Sequence, residues 1–196
     1  MRDLVPFLLF AISSSLTPGP NNFMVMNSGM NFGIKRSLPH YFGICLGFAV
    51  MILMVALGLG AVFTKYVWLK EVLKVVGSIY MFYLAYKILV SHNKPSMSPE
   101  RKPLTFLQAS LFQWVNPKAW LMGVGAISIF ILSSNYFYNA LLISFLYFLT
   151  CIPCTGVWML FGKVLQKILK KDSHRVWFNI IMALALVASI GMIFID

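Results

Sequence analysis

Acidic side chains are nearly missing from this chain of 196 residues, which holds Asp3, Glu71, Glu100, Asp172 and Asp196 and no others. All five fall near expected helix ends, in loops or at the termini, which excludes paired-carboxylate chemistry within the apolar segments. Cysteine is scarce too. Cys45, Cys151 and Cys154 lie in apolar segments, where three thiols make no even disulfide framework and stay inert. Cys151-Ile152-Pro153-Cys154 has redox-motif spacing, but that motif belongs before a helix in a soluble βαβ unit, and small residues packing in a helix is the better reading. His40, His92 and His174 are placed in polar connections, far apart in sequence, so no metal ligand set is expected, and nothing calls for a cofactor.

Apolar residues are what the chain has in quantity. They make up 60% of it against 11% charged, where a soluble domain averages roughly 45–50% and 25%. A membrane-crossing helix takes about 20 mostly apolar residues, so the chain holds enough for about six and little else. The net charge of +11 is therefore read as topogenic charge on loops. No nucleic-acid partner is expected, because no basic soluble domain is left to bind one.

The expected helices are 4–27, 40–63, 68–90, 104–132, 138–161 and 176–195. A cleaved signal peptide competes for the N-terminus, with Arg2 before an apolar run and small serines at Ser13 to Ser15. Apolar character resumes at Phe23-Met24-Val25-Met26, however, as in a broken span. Residues 29–39 are expected to connect the first two helices. Gly43 and Gly47, four apart, and Gly77 are helix-packing positions that let a neighbour approach closely. Glu71 and Lys74 are three apart on one face. The stretch 163–175 is strongly basic and could extend the fifth helix along the membrane surface. The Pro- and Ser-rich linker 94–103 divides one transmembrane domain, 1–196, into halves 1–93 and 104–196.

Basic residues set the orientation. Lys35, Arg36, Lys87, Lys94, Arg101, Lys102, Lys163, Lys167, Lys170, Lys171 and Arg175 share one side, against Arg2, Lys65, Lys70 and Lys74 on the other. Both termini are thus expected away from the cytoplasm. Tyr66, Trp68, Tyr136, Tyr138 and Trp177 near helix ends suit interfacial anchoring.

Three helices followed by three are related by an inverted repeat, and the halves share one defect. Pro18 lies 14 residues after Leu4, and Pro117 lies 13 after Leu104, so each half's first helix is interrupted at a similar depth. Paired interrupted helices point to a transporter's substrate site. Thr17-Pro18 and Asn116-Pro117 each put a capping side chain before a proline, which starts a fresh helix inside the membrane. Its N–H groups and dipole favour an anionic group such as a carboxylate. Lys118, which costs about 2.5 kcal/mol or more near the centre of a span, must meet freed carbonyls of the break or the substrate carboxylate itself. Asn21, Asn22, Gln113 and Asn116 supply amides for an amino group and a small polar side chain. A lone proline in a membrane helix is commonly just a kink; two matched ones with polar neighbours indicate a site. Asn27, Ser78, Tyr80, Tyr83, Tyr147, Thr150 and Thr155 are expected mostly in interhelical hydrogen bonds. A membrane enzyme acting on a lipid or thiol, or a non-transporting subunit, are the other classes considered.

Thr17-Pro18-Gly19-Pro20-Asn21-Asn22, the helix-2 glycines, Gly77-Ser78-Ile79-Tyr80 with Leu84, and Asn116-Pro117-Lys118 resemble the LysE/RhtB family of amino-acid exporters, in order along the whole chain. The resemblance implies an inner-membrane, six-helix secondary transporter that exports amino acids on the proton motive force and forms homo-oligomers. The doubled asparagine and the run from Phe106 to Phe130 look most similar to the cysteine and O-acetylserine branch; threonine and homoserine exporters share both motifs. Some members carry an intramembrane aspartate. This chain has none, so the resemblance names no proton-coupling residue.

Overall fold

A chain this apolar must satisfy its backbone N–H and C=O groups internally, and a helix does so residue by residue. In the computed structural model, which describes residues 4–59, 65–90, 102–130, 135–169 and 172–191, every regular element is helical. The elements are α1 (Leu4–Leu16), α2 (Pro20–Met54) running into a π-helical turn (Val55–Leu59), α3 (Val67–Val90), α4 (Phe106–Phe112) with a 3-10 turn (Gln113–Val115), α5 (Pro117–Phe130), α6 (Tyr136–Ile168) and α7 (Asp172–Gly191). Pro20–Leu59, Glu71–Val90 and Tyr136–Ile168 are long and apolar enough to cross a membrane, and Leu4–Leu16, Pro117–Phe130 and Val176–Gly191 are shorter apolar helices.

Several expected boundaries are corrected. The connection expected over residues 29–39 shrinks to Gly33: its neighbours are helical, and its φ of 75° and ψ of 174° break α2 into limbs 20–32 and 34–54. The limbs fold back on each other. Ser28 Oγ and His40 Nδ1 are 2.8 Å apart, although twelve residues of straight helix would separate them by about 18 Å. Glycine fits such a turn because it adopts positive φ without a Cβ clash. His40 is thus within a helix and 1% exposed, not in a polar connection. Helix 6 of the sequence begins earlier, at Asp172, which puts His174 on α7, and α6 absorbs the start of the basic stretch by running to Ile168. The expected ends at Phe63, Leu132 and Ile195 and most of the linker 94–103 lie outside the described residues.

The two limbs of α2 pack on α6 and α4 through small residues. A Cβ on Gly29 would overlap the Met159 carbonyl, and one on Gly162 the Met26 carbonyl. On the second limb, Gly43 abuts Phe106 and Ala109, and a Cβ on Gly47 would stand 2.5 Å from Ser110 Cα. Gly77 of α3 packs on the 3-10 turn, its Cβ position 2.5 Å from the Val115 carbonyl oxygen. Larger side chains fill the remaining space. Tyr147 stacks edge-on against Phe7 at 5.3 Å and Phe48 at 5.2 Å, while Met81, Leu84 and Ile88 of α3 meet Met182, Leu186 and Ile190 of α7. The outer face is apolar at Leu9, Ile79, Leu121, Ile129 and Leu184, a surface suited to lipid rather than water.

Candidate functional site

Break 1 separates α1 from α2, and its cause is proline chemistry. Pro18 and Pro20 have no N–H to offer Ser14 and Leu16, four residues back. Side chains replace both donors: Thr17 Oγ1 donates to the Ser14 carbonyl at 2.8 Å and Trp158 Nε1 of α6 to the Leu16 carbonyl at 3.1 Å. Asn22 Nδ2 donates to the Ser15 and Thr17 carbonyls, each at 2.8 Å. The carbonyl end of α1 is thereby satisfied within the protein, as burial in lipid demands.

Break 2 is tighter. Thr105 and Gln108 form a reciprocal capping box at the start of α4, which lasts seven residues before narrowing to the 3-10 turn. Pro117 cannot bond the Gln113 carbonyl, and the Asn116 N–H takes that place at 3.3 Å. Asn116 Oδ1 then accepts the Lys118 N–H at 3.2 Å, so α5 starts with Asn at its cap and Pro next, a favoured pairing. Trp120 Nε1 covers the Trp114 carbonyl at 2.8 Å.

The breaks are bonded to each other. Asn21 and Gln113 exchange amide hydrogen bonds of 2.7 and 3.1 Å. Lys118 Nζ donates to Thr17 O and Thr17 Oγ1, both at 2.7 Å, and to Pro18 O at 3.1 Å. Of the two fates open to Lys118, it takes the freed carbonyls. Its charge lies at the negative end of the α1 dipole, a favourable placement. Gly19 makes room for it, because a Cβ there would fall 2.7 Å from Lys118 Cδ.

Between the breaks is a cavity of about 30 Å³, room for two or three waters. Gly19, Asn21, Asn22, Asn116 and Lys118 line it, with Ser14, Ser15, Ile44, Phe48, Ala119, Met122, Cys151 and Thr155. Thr17, Pro18, Pro20, Gln113 and Pro117 shape the breaks but do not line the space. Ser14 and Ser15 were missed as site residues. Their polarity one turn before Pro18 is the signal that could have identified them. Of the weaker candidates, Asn27 bonds across to Asn179 at 3.3 Å, but Ser78 and Thr150 bond back along their own helices, and Tyr147 is fully buried.

The helix starts differ in what they leave free. Asn116 caps α5, whereas Gly19 gives α2 no side-chain cap. The first N–H groups of α2 belong to Asn21 and Asn22, which line the cavity, and Gly19 supplies them no cap.

The family model described as LysE type translocator matches residues 12–195. The chain belongs to the LysE family of translocators. Among relatives of this LysE chain, the cysteine/O-acetylserine efflux proteins of Escherichia coli K12 and Shigella sonnei are each 30% identical over 190 residues, covering 94% of this chain and 93% of each relative. No solved structure matches it. Family membership makes this LysE protein a transporter rather than an enzyme, with amino-acid efflux proteins among its homologues.

Proposed function

We propose that the protein exports a small neutral amino acid, of the cysteine or O-acetylserine kind, across the bacterial inner membrane on the proton motive force. The observation that carries this reading is the meeting of two proline breaks at one small cavity lined by Asn21, Asn22, Asn116 and Lys118, where one new helix is capped and the other is not. In this reading the chain has six spans in two inverted halves, 1–93 and 104–196, joined by 94–103, with both termini non-cytoplasmic. The spans are α1 with the first limb of α2, the second limb of α2, α3, α4 with α5, α6, and α7.

The open N-terminus of α2 takes the substrate carboxylate, since N–H groups and dipole converge there. Ser15, whose buried hydroxyl has no partner, is available to the amino group or side chain. Lys118 does not need to touch substrate: its three bonds to Thr17 and Pro18 tie the second half to the first, and alternating access stretches or remakes that tie. The small volume of the cavity fits a closed conformation that must widen to load. That the relatives are cysteine/O-acetylserine efflux proteins supports the substrate class.

Proteoliposomes loaded with labelled cysteine, O-acetylserine, threonine, homoserine and lysine, with and without a proton gradient, test the reading. Saturable, gradient-dependent loss of one or two small neutral amino acids is expected. Loss of none from folded, inserted protein overturns it.

A further inference from the structure

The Ser28–His40 contact holds the two limbs of α2 together near their turn, and it leaves half of an imidazole unused. His40 Nδ1 is 2.8 Å from Ser28 Oγ, while His40 Nε2 is buried with no partner, as is the hydroxyl of Ser37 three residues earlier on the same helix. A purely structural polar group in a membrane interior is expected to be fully bonded or replaced by an apolar one. We propose that His40 is a proton-binding site of the transport cycle, charged when the limbs of α2 part and water reaches Nε2, and neutral when they close.

The surroundings give the proposal its sign. The first limb of α2 and α4 bring no titratable group to the second limb. From α6 come Lys163 and Lys167 near the turn and Tyr147, Cys151 and Cys154 toward the cavity; α5 brings Lys118, and α7 carries Asp172, His174 and Arg175 in its first turn. On the second limb itself are exposed Lys35 and Arg36, with Tyr41 and Cys45. Lys163 is close to the turn, its Nζ 3.7 Å from the Cβ position of Gly33, and it bonds Gln166. Among the described side chains every charge here is positive and no carboxylate is buried, so an imidazolium has no counter-ion among them in the closed hairpin. Charging must favour opening. Among the buried groups, imidazole is also the one whose ordinary titration range spans neutral pH. Gly33, at positive φ, is the joint on which the limbs can swing.

The link from this proton to substrate rests on the transport reading above. The test uses reconstituted full-length protein and labelled O-acetylserine, with the membrane potential clamped. Two assays are run, substrate exchange without a gradient and accumulation under a gradient of about one pH unit, which drives roughly tenfold accumulation for one proton exchanged per substrate. His40→Gln is expected to retain exchange and to lose the accumulation. Wild-type accumulation in His40→Gln overturns the proposal, as does wild-type exchange with no response to the gradient. No exchange by the wild type defeats the transport reading itself, and the proposal with it. Should His40→Gln lose exchange as well, nitrogen NMR of the histidine rings in the wild type decides, with signals assigned by His92→Gln and His174→Gln. A His40 ring that changes protonation on adding O-acetylserine at fixed pH supports the proposal; one that does not overturns it.

Discussion

Break 1 and break 2 each set a polar residue before a proline, but they dispose of the freed backbone in opposite ways. At break 2 the chain repairs itself locally: a 3-10 turn, the Asn116 cap and the Trp120 indole take up the donors and acceptors that Pro117 disturbs. At break 1, Thr17 and Asn22 cover the Ser14 and Ser15 carbonyls, but those of Leu16 and Pro18 depend on Trp158 of α6 and Lys118 of α5, which also bonds Thr17, and the N-terminus of α2 keeps no side-chain cap. A break closed by its own residues is a rigid joint. One closed partly by borrowed residues can be opened by moving the lenders, and its uncapped start is the place proposed for the ligand.

The comparison is broken most severely by removing the borrowed cation. Lys118→Ala strips three donors from Thr17 and Pro18; taking two charge-assisted bonds at about 1.5 kcal/mol each, the low end for a part-exposed lysine, efflux per inserted protein falls roughly a hundredfold. Efflux assays normalised to membrane protein check this, and unchanged efflux removes Lys118 from the mechanism. Next in size is Gly19→Ser, which gives α2 the cap it lacks and makes break 1 resemble break 2. Its KM is expected to rise about tenfold, a loss near 1.4 kcal/mol of carboxylate binding. Gly19→Ala displaces Lys118 equally but cannot cap, so an equal rise in both variants would assign the effect to crowding.

Asn116→Ala reverses the experiment by uncapping α5. A lost cap costs about 1 kcal/mol, to be read as a lower thermal midpoint, while Asn116→Ser keeps the midpoint near wild type. The smallest effect is expected for the cross-break amide pair. A double-mutant cycle on Asn21→Ala and Gln113→Ala in thermal stability should return a coupling near 0.6 kcal/mol, as is usual for hydrogen bonds between membrane helices; zero coupling would mean that the pair does not join the breaks.

How much of this was legible in the sequence depends on the range of the interaction. The breaks were legible because proline removes an N–H wherever it stands, and Asn116 ahead of Pro117 is a local cap signal. That Lys118 would reach Thr17 and Pro18, a hundred residues away, was not, because sequence spacing carries no information on which chain segments meet. The reversal at Gly33 was hidden for another reason. Its neighbours 29–39 mix polar, basic and proline residues and resemble a loop, yet a single positive-φ glycine makes the turn and leaves both flanks helical. Placing His40 in a connection followed from that error, and only the folded-back limb shows it buried against Ser28. Ser14 and Ser15 enter the sequence reading only as small residues that would suit the competing leader, since nothing local marks a serine as facing a cavity.

The property on which transport through this site depends is recognition of a carboxylate at the uncapped start of α2. In proteoliposomes preloaded with unlabelled O-acetylserine, or with its carboxamide in which that charge is absent, uptake of external labelled O-acetylserine by exchange measures this directly. Strong exchange is expected against the free acid and almost none against the carboxamide. Equal exchange against both would contradict it.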